Sequence, residues 1–103
     1  MRYGIVLSPQ ALEDLRDLKA DLRSQVRDAL ETHLRPQPTK TSKARIKRLR
    51  GLSRPQYRLR VEDVRIFYDV TEHRVEILAI VPKSEAVTWL KQTGESNEED
   101  RAV

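Results

Sequence analysis

The sequence predicts an α+β domain: an N-terminal strand, a two-helix hairpin, a three-stranded antiparallel meander and a short C-terminal helix. Three observations predict it. Apolar residues recur at helical spacing between positions 12 and 34. Strict two-residue alternation fills positions 57 to 81, broken at two short polar turns. A length of 103 residues with 38% hydrophobic content supports one compact core and no second domain.

The elements follow in order. From Arg2 to Leu7 the chain alternates, with Tyr3, Ile5 and Leu7 on one side, which reads as a strand. Ser8-Pro9 marks a helix start, with serine at the N-cap and proline at the first helical position. Leu12, Leu15, Leu18 and Leu22 begin an apolar stripe that Val26, Leu30 and Leu34 continue. The stripe fits one long helix. A break near Lys19 to Asp21, where Asp21 can cap a second helix, makes it a hairpin. Pro36 and Pro38 stop the helical pattern. Residues Thr39 to Pro55 then read as a long basic connection, with a short helical turn around Ala44 to Leu49.

Tyr57, Leu59 and Val61 alternate with Arg58 and Arg60 in the first strand of the meander. Val64, Ile66, Tyr68 and Val70 form the inward set of the next. Val75, Ile77, Ala79 and Val81 form that of the last, which is apolar on both faces. After Pro82, Ser84 can cap a final helix carrying Val87, Trp89 and Leu90. The domain therefore spans residues 1–92, and 93–103 read as a polar, disordered tail.

Composition narrows the chemistry. No cysteine is present, and His33 and His73 stand far apart, so neither a zinc site nor a catalytic triad has the residues it needs. No metal or other cofactor is expected. No apolar run approaches the about 18 residues of a membrane span, and no signal-peptide core opens the chain. A cytoplasmic protein without a membrane partner is the expectation.

The net charge of +4 matters less than its distribution. Between Glu31 and Glu62 there is no acidic residue, yet the interval holds half of the 20 lysines and arginines. Lys43, Arg45, Lys47, Arg48 and Arg50 lie in the connection, and Arg58 and Arg60 in the strand after it. Such a stretch attracts a polyanion by releasing its counterions. With Glu62-Asp63 as a two-residue turn, Arg60 lies opposite Arg65 and Arg58 opposite Phe67, all on the face away from the core. Two arginines across an antiparallel pair repel unless an anion lies between them. Phe67 would then offer a base-stacking surface, and Lys83 would reach the same face from the end of the last strand.

These residues carry a resemblance to the RelE/ParE superfamily of toxin–antitoxin toxins, and to its RelE-like branch in particular. Ile5-Val6-Leu7-Ser8-Pro9-Gln10-Ala11 resembles the family's opening strand and helix. Arg48-Leu49-Arg50-Gly51-Leu52 is similar to its Leu-x-Gly element. Tyr57-Arg58-Leu59-Arg60-Val61 and Val64-Arg65-Ile66-Phe67-Tyr68 resemble its two most recognisable strands. The resemblance implies a metal-independent messenger RNA endoribonuclease that works in the ribosomal A site, inhibits translation, and is neutralised by a cognate acidic antitoxin. By the same resemblance, Arg58, Arg60, Arg65 and Lys83 match catalytic positions. The charge run and the strand parity add Lys43, Arg45, Lys47, Arg48, Arg50 and Phe67 as the expected RNA surface, and Trp89 is expected to anchor the last helix on the core or to meet the antitoxin.

One departure stands out. Many RelE-like toxins have a tyrosine or histidine near the C-terminus, where this chain has Val87 and Trp89, which exchange no proton at neutral pH. Two alternatives therefore stay open: a ParE-like inhibitor of DNA gyrase, and an RNA-binding module without activity.

Overall fold

A computed structural model of the chain describes residues 2–96. Strand β1 (Gly4–Leu7) leads into helices α1 (Pro9–Asp17) and α2 (Ala20–Ala29), and a π-turn (Leu30–Leu34) closes the second. Strands β2 (Ile46–Arg48), β3 (Leu52–Arg54), β4 (Tyr57–Val61), β5 (Val64–Val70) and β6 (Arg74–Pro82) follow, and then α3 (Lys83–Thr93) and β7 (Glu95–Ser96). Five strands form one sheet in the order β1-β6-β5-β4-β2, in which only β1 and β6 run parallel. The α+β class and the meander are as the alternation predicts.

Ser8 fixes the first corner. Its hydroxyl accepts the Ala11 amide at 3.0 Å, as an N-cap should, and donates to the Leu78 carbonyl at 2.9 Å. One side chain thus starts α1 and ties it to β6. The helix break is real, but Asp21 does not cap it. Lys19 holds the N-cap position without a side-chain bond, and Asp21 sits in the first turn of α2. There its charge still complements the helix dipole. At the other end, the Arg35 amide reaches back to the Leu30 carbonyl, and its guanidinium forks onto Glu31 and donates to the Tyr3 carbonyl. The first arginine of the basic interval is therefore a clamp between helix and strand.

Helices α1 and α2 pack on one face of the sheet. Ala11, Leu15, Val26, Leu30 and Leu34 meet Leu59, Ile66, Tyr68, Val75 and Ile77 in a sealed core. The buried Tyr68 hydroxyl donates to the Pro38 carbonyl at 2.7 Å, which satisfies it and anchors the chain after the π-turn.

Four details differ from the sequence reading. The helical turn expected around Ala44 to Leu49 is instead β2, because the free edge of β4 offers backbone partners and Ile46 buries opposite Leu59. In β6, Leu78 is an extra residue between the Phe67–Ala79 and Tyr68–Ile77 pairs. This bulge flips the strand's phase, so Ala79 and Val81 face away from the helices while Ile80 turns to the core. The Asp14 carboxylate accepts the displaced Ile80 amide at 2.9 Å. Pro82, not Ser84, precedes α3, whose first amide, that of Lys83, bonds to the Asp63 carbonyl. Finally, order continues past the expected domain end: Thr93 completes α3, and Glu95–Ser96 pair with β3. The rest of the expected tail, 97–103, lies outside the described residues.

Helix α3 crosses the second face of the sheet. Trp89, Leu90 and Ala86 pack with Leu49 over Phe67, Ala79 and Val81. Phe67 was expected to offer a stacking surface on this face, but α3 covers its apolar half. The basic half remains.

Candidate functional site

The register of β4 and β5 places the arginines as the two-residue turn requires. Val61 pairs with Val64, Arg60 with Arg65, Leu59 with Ile66 and Arg58 with Phe67. Glu62 adopts the left-handed conformation, with φ at 50°, to make so tight a turn. On the next strand Lys47 pairs with Arg58. Lys47, Arg58, Arg60 and Arg65 therefore share one face at the β2 end of the sheet, beside the ground that α3 covers.

The four are not equivalent. Arg60 is exposed. Arg58 is half-buried; its Nη2 donates to the Ala44 carbonyl at 3.4 Å, and its buried Nε has no partner. Burial first, and then the charges of Arg65 and Arg60, lower its pKa. Arg65 is only 7% exposed, and its Nη1 donates to the Glu62 and Val64 carbonyls, both at 3.0 Å. It was expected to be a free phosphate-holding fork. Instead it braces its own turn and contributes its charge from beneath. Facing Arg60 across the hairpin, it escapes the repulsion by folding inward.

Lys83 is exposed at the start of α3, and its bond to Asp63 holds it against the same turn. Among the described residues, no carboxylate forms an ion pair with Lys47, Arg58, Arg60, Arg65 or Lys83. The neighbouring Arg54 shows the contrast: it pairs with the buried Asp69 at 3.4 Å.

The other predicted residues divide. Arg45 lies against Arg60 at the sheet edge, where its carbonyl accepts the Arg60 amide at 2.9 Å. Lys43 and Arg50 are exposed in the flanking loops. Arg48 faces the other side: it stacks over the Tyr57 ring at 5.2 Å and donates to the Gln56 carbonyl. Phe67 is not an exposed stacking platform. It lies flat beneath Trp89, with ring centroids 4.9 Å apart and planes 6° apart. Trp89 itself is half-exposed, and Val87 on the same helix is 64% exposed. One residue not selected from the sequence is His33, which joins Arg45 at the rim of this surface. Its only signal was its place beside the basic interval.

The family model of the ParE toxin of type II toxin–antitoxin systems (parDE) matches residues 5–87. The chain belongs to this toxin family. No curated protein gives a significant match. Among solved structures, the toxin resembles the RelB-RelE antitoxin-toxin complex from Methanococcus jannaschii, with a TM-score of 0.64 at 17% identity, covering 82% of this chain and 96% of that one. The archaeal RelE-RelB complex from Pyrococcus horikoshii OT3 gives 0.61 at 26% identity, covering 81% and 97%. The E. coli toxin RelE, solved as a mutant in the free state, gives 0.54 at 18%, covering 90% and 99%. The fold is thus that of RelE-type toxins. Among the described residues, no helix is long and apolar enough to cross a membrane.

Proposed function

We propose that this toxin is a ribosome-dependent, metal-independent messenger RNA endoribonuclease that inhibits translation in the cytoplasm. The observation that carries the reading is the cluster of Lys47, Arg58, Arg60, Arg65 and Lys83, none paired with a carboxylate among the described residues. Like charges held this close lack a counter-charge that a phosphodiester supplies. In the reaction, the 2′-hydroxyl oxygen attacks the adjacent phosphorus and the bond to the 5′-oxygen breaks. The products are a 2′,3′-cyclic phosphate and a 5′-hydroxyl. Arg58 and Arg60 hold the non-bridging oxygens and stabilise the added charge as the phosphorus becomes five-coordinate. Lys83, a cation at the same turn, donates a proton to the departing 5′-oxygen. A guanidinium keeps its proton at neutral pH, so the 2′-hydroxyl proton passes to solvent rather than to an arginine. Val87 and Trp89 stand where a proton-exchanging side chain would speed the reaction, which predicts slow cleavage.

An acidic antitoxin neutralises such a surface by covering it, with its carboxylates on Arg58, Arg60 or Lys83 and its apolar side chains beside Trp89 and Val87. The RelE toxins of M. jannaschii and P. horikoshii were solved with RelB antitoxins, in keeping with this.

The match to the ParE family model favours a second reading, a DNA gyrase inhibitor that cleaves nothing. Toe-printing of translated messenger RNA in the presence of EDTA separates the two. Cleavage at ribosome-bound positions that Arg58→Ala and Arg60→Ala abolish supports the ribonuclease. Intact messenger RNA together with inhibited DNA supercoiling overturns it in favour of gyrase.

A further inference from the structure

Around the edge of the sheet from Arg60, the toxin has a second basic surface. Arg45 and Arg60, joined through their backbones, both border a hollow of about 410 Å³ between the end of α2 and the β4–β5 turn. His33, from the π-turn, borders it too, and also a smaller recess of about 200 Å³ that Arg45 shares with Lys40 and Ser42. Arg45 is the common wall. Most of the lining residues are polar, and among the described residues Ala29 and Val61 are the apolar ones that border it.

We propose that this hollow binds a second phosphate of the same RNA strand, with His33 as its pH-dependent member. The inference rests on the RNA reading above and deepens it. The strand crosses the Arg58–Arg60 face, turns over the edge of the sheet where the Arg45 carbonyl accepts the Arg60 amide, and enters the hollow there. A lining without an apolar anchor favours a nucleic-acid backbone over a docked protein segment, because protein contacts concentrate their affinity in buried apolar and aromatic side chains.

The local charges give His33 its role. Lys40, Arg45 and Arg60 face it from the loop and the sheet edge, and Asp28 of α2 and Glu62 of the turn oppose them. In the hollow itself Arg45 and Arg60 balance Asp28 and Glu62, so an imidazolium at His33 supplies its net positive charge, and Lys40 adds a further cation from the recess. Burial, and then the charge of Arg45, lower the His33 pKa below its ordinary value. Both causes favour the neutral imidazole in the free toxin. A phosphate entering it favours the imidazolium, so its binding raises the His33 pKa and draws in a proton. By linkage, the added affinity is fully present below the pKa of the free form and is lost as pH rises through that of the bound form.

The test is a proton NMR titration of the His33 and His73 rings in the free toxin, alone, with a short single-stranded oligoribonucleotide, and with an oligo-glutamate peptide. The oligoribonucleotide should raise the His33 pKa by about half a unit and leave His73 unmoved. That shift corresponds to about threefold tighter binding at pH 5.5 than at pH 8. His33→Gln should remove this pH dependence and His73→Gln should keep it. If RNA binds with no change at His33, the second site is wrong and the RNA reading stands. If the peptide moves His33 and RNA does not, the hollow is a protein site and the inference falls. If RNA does not bind at all, both readings fall together.

Discussion

On the face of the sheet that α1 and α2 cover, Leu59, Ile66, Tyr68, Val75 and Ile77 are sealed from water. On the opposite face, α3 covers only Phe67, Ala79 and Val81, and Lys47, Arg58 and Arg60 lie beside that patch. The first face is a continuous apolar layer, and its one buried hydroxyl among the residues just named, that of Tyr68, is satisfied at the Pro38 carbonyl. The second combines a small apolar patch with like charges and an unpartnered guanidinium nitrogen on Arg58. The layers teach different things: one holds the fold, and the other carries like charges without a carboxylate partner among the described residues.

The contrast breaks most visibly through the core. Leu59→Ala should destabilise the toxin by about 2–5 kcal/mol, because it removes a fully buried side chain from a packed layer. Trp89→Ala should cost less, about 1–2 kcal/mol, because α3 has no fully buried side chain of its own. Urea denaturation of both variants, with hydrogen exchange on the second, checks this. Exchange should quicken in α3 and leave β4–β6 protected. Equal losses from the two substitutions would mean that α3 belongs to the core.

Within the cationic face, Arg60 and Arg65 sharpen the comparison. Arg65→Ala frees the Glu62 and Val64 carbonyls of a buried donor and should cost about 1–3 kcal/mol. Arg60→Ala, on an exposed side chain, should change stability by no more than about 0.5 kcal/mol and still weaken RNA binding. Thermal melts beside binding isotherms separate the roles. If Arg65→Ala melts like the parent, the turn does not need its brace.

A finer contrast sets Lys47 against Arg48, neighbours that point to opposite faces. Lys47→Ala should flatten the dependence of log affinity on log salt by about 0.7 for single-stranded RNA. Arg48→Ala, which removes a residue stacked on Tyr57, should leave that slope as it is. Equal slopes for the two would mean that RNA does not follow the outer face.

How much of this was legible follows from what each residue type can reveal. The opposition of Arg60 and Arg65 could be read because a two-residue turn fixes register and the alternation fixes the face. The bulge at Leu78 could not, since residues 75 and 77 to 81 are all apolar and a slip of phase leaves no mark on the pattern. Strand β2 was hidden because a single apolar residue, Ile46, has no period. Phe67 was assigned to the right face, but its cover comes from a helix distant in sequence. Nothing in the residue types decides which of two facing arginines turns inward. That depends on the carbonyls left free at the turn.

The smallest expected effect lies on the second face, two residues along β5 from Phe67, where the buried Asp69 accepts the Gln56 amide at 2.8 Å and pairs with Arg54. Burial raises the Asp69 pKa, against the lowering pull of the Gln56 N–H and of Arg54. The folded chain thus holds this proton more firmly than the unfolded chain does. The stabilisation is fully present below the unfolded value of about 3.9 and is lost as pH rises through the folded value. Asp69→Asn keeps an oxygen for the Gln56 amide and removes the titration. Its stability relative to the parent should therefore improve as pH rises above about 4, even though it lacks the half-exposed ion pair with Arg54, which is worth about 0–1 kcal/mol. Melting temperatures of the two proteins across pH 3–7 decide it. A parent that gains on the variant over that range would mean that Arg54 governs Asp69 more strongly than burial does.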